Sequence, residues 1–143
     1  MNDSRSNRHA ATLRLISILF ILAALYDGGL GVAFLLASDH IFGWLNVVPP
    51  NHPGYVQFSA ALLLIFAIMF SAIAINPYRN RNLIIYGILL KVSYCGVVAY
   101  HWLSKGVPYI WKPFFVFDLV FLALFIWAFM TLRGQHSLRS AER

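Results

Sequence analysis

The sequence predicts an all-helical integral membrane protein, a bundle of four transmembrane helices with both termini in the cytoplasm. Three observations support this prediction: an excess of apolar residues, four long apolar runs, and a one-sided distribution of basic residues. Of the 143 residues, 60% are hydrophobic and 11% are charged, whereas soluble domains have about 45–50% and 25%. Such an excess is typical of a protein whose surface faces lipid.

Four apolar runs define the predicted spans. A run of about 20 apolar residues matches a hydrocarbon core roughly 30 Å thick. The runs occupy about residues 13–37, 55–75, 83–103 and 110–132, and polar tails, residues 1–12 and 133–143, flank this membrane domain. The first run is too long for the apolar region of a signal peptide, so we predict a retained first helix.

The connections between the runs contain helix-breaking residues. Pro77 follows Asn76 and is predicted to end the second span, because proline disfavours helical geometry in the residue before it. The first connection, SDHIFGWLNVVPPNHPG, contains three prolines and continues neither neighbouring helix. Its residues 41–48 include Phe42 and Trp44, which predicts a short segment lying in the headgroup region.

The basic residues predict the orientation. The side with the first and last connections carries only Lys105 and Lys112. The other side of the predicted membrane carries eight basic residues: Arg5, Arg8, Arg14, Arg79, Arg81, Arg133, Arg139 and Arg143. By the positive-inside rule both termini are cytoplasmic.

Composition and motifs exclude several functions. The net charge of +6 does not indicate a nucleic-acid partner, because the basic residues form no patch and no basic–aromatic motif accompanies them. Cys95 is the single cysteine, which excludes an internal disulfide and a CxxC redox pair. His40, His52 and His101 lack the spacing of a metal motif, and no phosphate-binding loop or hydrolase motif is present. We therefore expect no metal, no cofactor and no catalytic residue.

Three charged residues lie deep inside the predicted spans, away from the span ends: Asp27, Lys91 and Asp118. At a rise of about 1.5 Å per residue, all three fall in the central third of the membrane, where they could converge. We predict that Lys91 pairs with Asp118 across the hairpin of the third and fourth spans. Ionisable residues at this depth are costly and are functional candidates by default.

The charges of this group do not balance. One cation and two carboxylates sum to −1 when all are ionised, so either one carboxyl keeps a proton or a proton, ion or cationic ligand occupies the site. The structural alternative is an ion pair with one neutral acid beside it. In that case Lys91→Met should destabilise the protein, and adding Asp118→Leu should largely rescue it, because removing one buried partner is worse than removing both.

Neighbouring residues extend the predicted polar cluster. Tyr94 follows Lys91 by three residues and shares its stripe of the third span, with His101 two turns further toward the outer surface. Gln57 stands on a face of small residues in the second span. We predict a cluster of Asp27, Lys91, Tyr94 and Asp118, with His101 and Gln57 as additional polar residues on the outer side.

The layout also resembles a known group of proteins. The chain combines four spans, the sequence GGLGVAFLL in the first span, a proline-bearing external loop and a third span containing glycine. In these features it resembles the DoxX-like small membrane proteins of bacteria. The resemblance implies a four-helix bundle of the inner membrane, in some cases associated with redox systems such as quinone-linked oxidoreductases. The pairing of Lys91 with Asp118 is inferred from the residues and is not part of the resemblance.

These observations leave three classes of function open. The favoured one is a non-catalytic subunit or partner-binding protein of a membrane complex, with the bilayer, a membrane protein, a second copy, a lipid or a quinone as partner. The second is a small proton-coupled carrier built around Asp27. The third is an enzyme with a lipid pocket that uses Asp27 as acid or base.

Overall fold

The computed structural model describes the backbone of residues 3–141 and the side chains of residues 7 and 9–134. Over this range the chain is helical, without strands, as predicted. The helices are α1 (Asp3–Trp44), α2 (Pro53–Ile75), α3 (Ile84–Ser104) and α4 (Trp111–Ala141), and a single 3₁₀ turn (Arg81–Leu83) leads into α3.

All four helices are long and apolar enough to cross a membrane, which confirms the predicted fold class. The qualifying segments are His9–Trp44, Pro53–Ile75, Arg81–Ser104 and Trp111–Gly134. Helices α1 and α4 extend beyond the predicted spans, so both polar tails are helical where the structure describes them. The cytoplasmic location of the two ends remains a prediction from the charge distribution.

Helix α1 bends near the predicted end of the first span. Ala37 has non-helical backbone angles, φ −137° and ψ 26°, and the helix resumes beyond it as far as Trp44. In this resumed part the ring of Phe42 is buried and lies 6.0 Å from the ring of Phe34. Asn46 then adopts a positive φ of 51°, a conformation that asparagine tolerates better than most residues. Residues 41–48, predicted to lie in the headgroup region, thus begin as the resumed part of α1, with Phe42 packed against Phe34.

The ends of α2 follow from local sequence. Pro53 stands in the first turn, where its missing N–H costs nothing, and the His52 ring nitrogen Nδ1 accepts a 3.0 Å hydrogen bond from the Gly54 backbone. At the other end, Asn76 caps the helix immediately before Pro77, as expected for a residue that precedes proline. These caps fix the length of α2 at one crossing.

Small residues bring α1 close to α2. A Cβ on Gly31 would lie 2.9 Å from the Ala60 carbonyl oxygen and from the Leu64 side chain, and one on Gly28 would lie 3.3 Å from Ala67 Cβ. Close approach of this kind, rather than hydrophobic exclusion from water, is what associates helices in lipid. Helix α3 packs against α4. The α1–α2 pair and the α3–α4 pair make fewer close backbone contacts with each other than the helices make within each pair.

The tightly packed core occupies the half of the bundle that contains the first part of α1, the last part of α4 and the α2–α3 turn. At its centre the ring of Phe20 stacks on Phe125 at 4.7 Å, and Phe70 meets Phe125 edge-on at 5.2 Å. Gly87 permits this arrangement, since a Cβ there would lie 2.7 Å from the Phe70 ring. Large apolar side chains face outward on every helix, as a lipid-exposed surface requires: among them Leu25, Ile68, Val97 and Met130.

Candidate functional site: a charged cluster at the base of an apolar pocket

Lys91 lies between the two aspartates in the interior of the bundle. Its Nζ donates to Asp27 Oδ1 at 2.8 Å, to Asp27 Oδ2 at 3.1 Å and to Asp118 Oδ1 at 2.9 Å. Only 1% of Lys91, 1% of Asp27 and 6% of Asp118 is exposed. The structure thus brings together three of the four residues of the predicted cluster through direct ion pairs.

The cluster connects the two helix pairs. Asp27 is on α1, Lys91 on α3 and Asp118 on α4, so the long lysine side chain spans the gap where few backbone contacts exist. The sequence prediction gave Lys91 a single direct partner, Asp118. In the structure Asp27 binds the ammonium group through both oxygens and is the more fully engaged carboxylate.

Aromatic rings surround the ammonium group. The Lys91 Nζ lies 5.3 Å from the centre of the Tyr26 ring and 5.5 Å from that of Phe121, distances at which a cation is attracted to a ring face. Tyr26 in turn packs against α4, with Phe121 at 5.4 Å and Phe117 at 6.2 Å. These rings shield one side of the charged cluster from lipid.

An apolar pocket of about 660 Å³ opens beside the cluster, and Tyr26 forms part of its wall. It extends from the connections at Val48 and Pro108 to the layer of Asp27, Lys91 and Asp118. Its walls are mostly apolar or aromatic and come from all four helices and from the connections; they include Leu30, Phe34, Val56, Leu63, Leu90, Trp111 and Phe114. This volume is in the range of small-molecule sites, which combine apolar walls with a few polar groups.

Tyr94 also lines the pocket, and its hydroxyl is a buried polar atom without a partner. The oxygen makes no hydrogen bond with any described residue, although it is inaccessible to solvent. Leaving such a group unsatisfied costs about 1–3 kcal/mol. Tyr94 thus places an unpaired hydrogen-bonding group in the wall of the pocket.

The other two predicted polar residues lie apart from the cluster. Gln57 is exposed near the start of α2, and His101 is exposed near the end of α3, where its ring contacts Tyr100 at 5.3 Å. Neither lines the pocket. For His101 the reason is helical geometry, since ten residues at 3.6 per turn leave it roughly 80° away from the direction of Lys91.

The described part of the chain brings no three histidine, cysteine or acidic residues close enough to hold a metal ion. His40, His52 and His101 do not converge, and Cys95 is buried as a free thiol.

Sequence reasoning missed the aromatic wall of the pocket. Neither Phe114 nor Tyr26 nor Phe34 was singled out as a site residue from the sequence. Tyr26 could have been suspected, because it precedes Asp27 directly and carries a polar group at mid-membrane depth. Nothing in the sequence marks Phe34 or Trp111 as pocket residues, because their role depends on the bend at Ala37 that brings the first connection over the bundle.

Comparison of the chain with protein-family models, with curated proteins and with solved structures finds no match. The geometry described above is therefore the basis on which a function can be proposed.

Proposed function

We propose that this protein is a non-catalytic ligand-binding protein of the bacterial inner membrane, and that it holds an amphipathic small molecule in the pocket of its outer half. The apolar part of the ligand would lie along the aromatic walls, and its polar end would reach the charged cluster. The observation that carries this proposal is a 660 Å³ apolar pocket that ends at buried, hydrogen-bonding side chains.

This proposal retains the function expected from the sequence and narrows it. The protein would serve a membrane complex as its binding subunit, a role in line with the resemblance to DoxX-like proteins and their redox partners. Catalysis through Asp27 is less well supported, because both of its oxygens accept hydrogen bonds from Lys91. A carboxylate engaged in this way is poorly placed to exchange a proton with a substrate.

Photolabelling in nanodiscs tests the proposal. The probe is a dodecyl alcohol that carries a diazirine for crosslinking and an alkyne for detection. We expect saturable labelling of pocket residues, found by mass spectrometry of the digested protein and reduced by excess unlabelled dodecanol. Labelling confined to the lipid-facing side chains, without competition, would contradict the proposal.

Helix α2 provides a matched pair of variants for this test. Ser59 lines the pocket and Ser71 does not, yet both are exposed and each donates to the carbonyl four residues earlier, at 3.0 and 2.9 Å. We expect Ser59→Trp to fill the pocket and remove its labelling, and Ser71→Trp to label like the parent protein. Equal labelling of the two variants would count against the pocket as the binding site.

A further inference from the structure

The hydrogen bonds of the charged cluster restrict the chemistry of the ligand's polar end. We propose that this end is a protonated amine, so that the pocket binds lipophilic amines, with the ammonium group at Asp118. This inference rests on the proposed function, because it assigns a ligand class to the same pocket. Three features of the site support it.

The first feature is the supply of acceptors. An ammonium group has three N–H donors, and the three contacts of Lys91 with aspartate oxygens match them in number. Two of these contacts go to one carboxylate, and all three turn the ammonium group toward the aspartates rather than toward a ligand. Asp118 binds Lys91 through Oδ1 alone, and no hydrogen bond to its Oδ2 occurs among the described residues. The site thus offers a carboxylate oxygen to a molecule that donates, and Tyr94 lines the same pocket.

The second feature is charge. Asp27 and Asp118 face the single cation Lys91 in the interior, so the ionised cluster carries a net charge of −1. An unbalanced buried charge is costly in a membrane. A cationic headgroup at Asp118 would neutralise the net charge of the cluster. An anionic headgroup would be repelled by the two carboxylates, and Lys91 is already paired with both of them.

The third feature is the aromatic wall. Tyr26, Phe114 and Trp111 line the same pocket. The centre of the Phe114 ring lies 6.5 Å from that of Tyr26 and 6.3 Å from that of Trp111. Aromatic faces attract cations, most strongly where water is excluded. An ammonium group could therefore stay in contact with ring faces while it moves along this wall, from the end of the pocket at the connections to Asp118.

The experiment compares three competitors that share one alkyl chain: dodecylamine, dodecanol and dodecyl sulfonate. Each competes with the photoprobe for pocket labelling at neutral pH, in nanodiscs of zwitterionic phosphatidylcholine, so that lipid charge does not concentrate the amine. We expect dodecylamine to compete at a concentration at least tenfold lower than dodecanol, and the sulfonate to be weakest.

Each outcome bears on a different statement. Equal or better competition by dodecanol or by the sulfonate would overturn the amine assignment and leave the proposed binding function standing. Absence of pocket labelling by the probe would remove the binding function and the amine assignment together. The wild-type comparison decides between these results without any variant.

A variant pair locates the preference. Asp118→Asn removes one charge and keeps the Asp27–Lys91 pair, so it should reduce the advantage of dodecylamine over dodecanol to about twofold or less. Asp39→Asn is the control, because it makes the same change in charge at an exposed position outside the pocket. An unchanged preference in Asp118→Asn, with folding verified by size-exclusion chromatography, would overturn the assignment to Asp118.

Discussion

Lys91 is the residue on which the charged cluster depends. It is 1% exposed, and both Asp27 and Asp118 direct carboxylate oxygens at its Nζ. A lysine is therefore tolerated at mid-membrane because three charge-assisted hydrogen bonds replace its hydration shell. The two aspartates in turn depend on Lys91, since no other cation is paired with them in the described part of the chain.

Replacing Lys91 should therefore be more damaging than a change of volume alone. We expect Lys91→Met to lower the free energy of unfolding by about 3–5 kcal/mol, because it leaves two carboxylates buried without a partner. Thermal unfolding in detergent, followed by circular dichroism, measures the effect. A melting temperature within a degree of the wild type would show that the ion pairs do not stabilise the fold.

The control for this variant follows from the structure and differs from the one suggested by the sequence. The double change Lys91→Met with Asp118→Leu leaves Asp27 unpaired, so it should rescue little. The triple change Asp27→Asn, Lys91→Met and Asp118→Asn removes every charge and should recover most of the lost stability. Full rescue by the double change would show that Asp27 contributes no destabilising charge.

At the scale of the helices, close packing of α1 on α2 fixes the shape of the first hairpin. Gly31 is buried against the Ala60 backbone, whereas Gly29, two residues earlier, has nothing within 4 Å of its added Cβ position and faces outward. The first hairpin is thus held by one small-residue face, and the opposite face is free to meet lipid. Between this hairpin and the α3–α4 pair lies the pocket.

This difference between the two glycines predicts opposite effects of the same substitution. Gly31→Ala should lower the free energy of unfolding by about 1–3 kcal/mol, since the new methyl group overlaps backbone and side-chain atoms that cannot move independently. Gly29→Ala should be neutral or stabilise by up to ~1 kcal/mol, because alanine favours a helix over glycine. Unfolding midpoints of the two variants, measured side by side, test the packing, and similar midpoints would contradict it.

At the scale of the whole molecule, the bundle is dense in one half and hollow in the other. The Phe20, Phe70 and Phe125 rings fill the half with the first part of α1 and the last part of α4, and the pocket occupies the half with the first and last connections. The positive-inside rule assigns the dense half to the cytoplasm. The pocket would then be reached from the outer side.

Cysteine labelling tests that orientation. In a Cys95→Ala background, we expect Lys105→Cys to react with a membrane-impermeant maleimide in intact cells, and Asn82→Cys to react only after the cells are opened. Both positions are exposed beyond or near the end of a helix, so accessibility is matched. The reverse pattern would place the termini and the dense half outside, and the pocket would open toward the cytoplasm.

The class of this protein and the charged residues at its centre could be predicted from the amino-acid sequence. Apolar runs of membrane length indicate four helices whatever their packing, since each must satisfy its own backbone in lipid. Asp27, Lys91 and Asp118 stood out for a similar reason, because charges at mid-membrane are costly enough to imply partners.

How these charges pair, and which residues surround them, could be seen only in the folded bundle. Which aspartate pairs with Lys91 depends on the rotation and spacing of the helices, and hydropathy does not encode these. In the structure Lys91 pairs with both Asp27 and Asp118. The pocket depends on the bend at Ala37 and on α1 packing closer to α2 than to the other pair. A cavity is space left between elements, so it follows from how the helices pack against one another and not from any single segment of the chain.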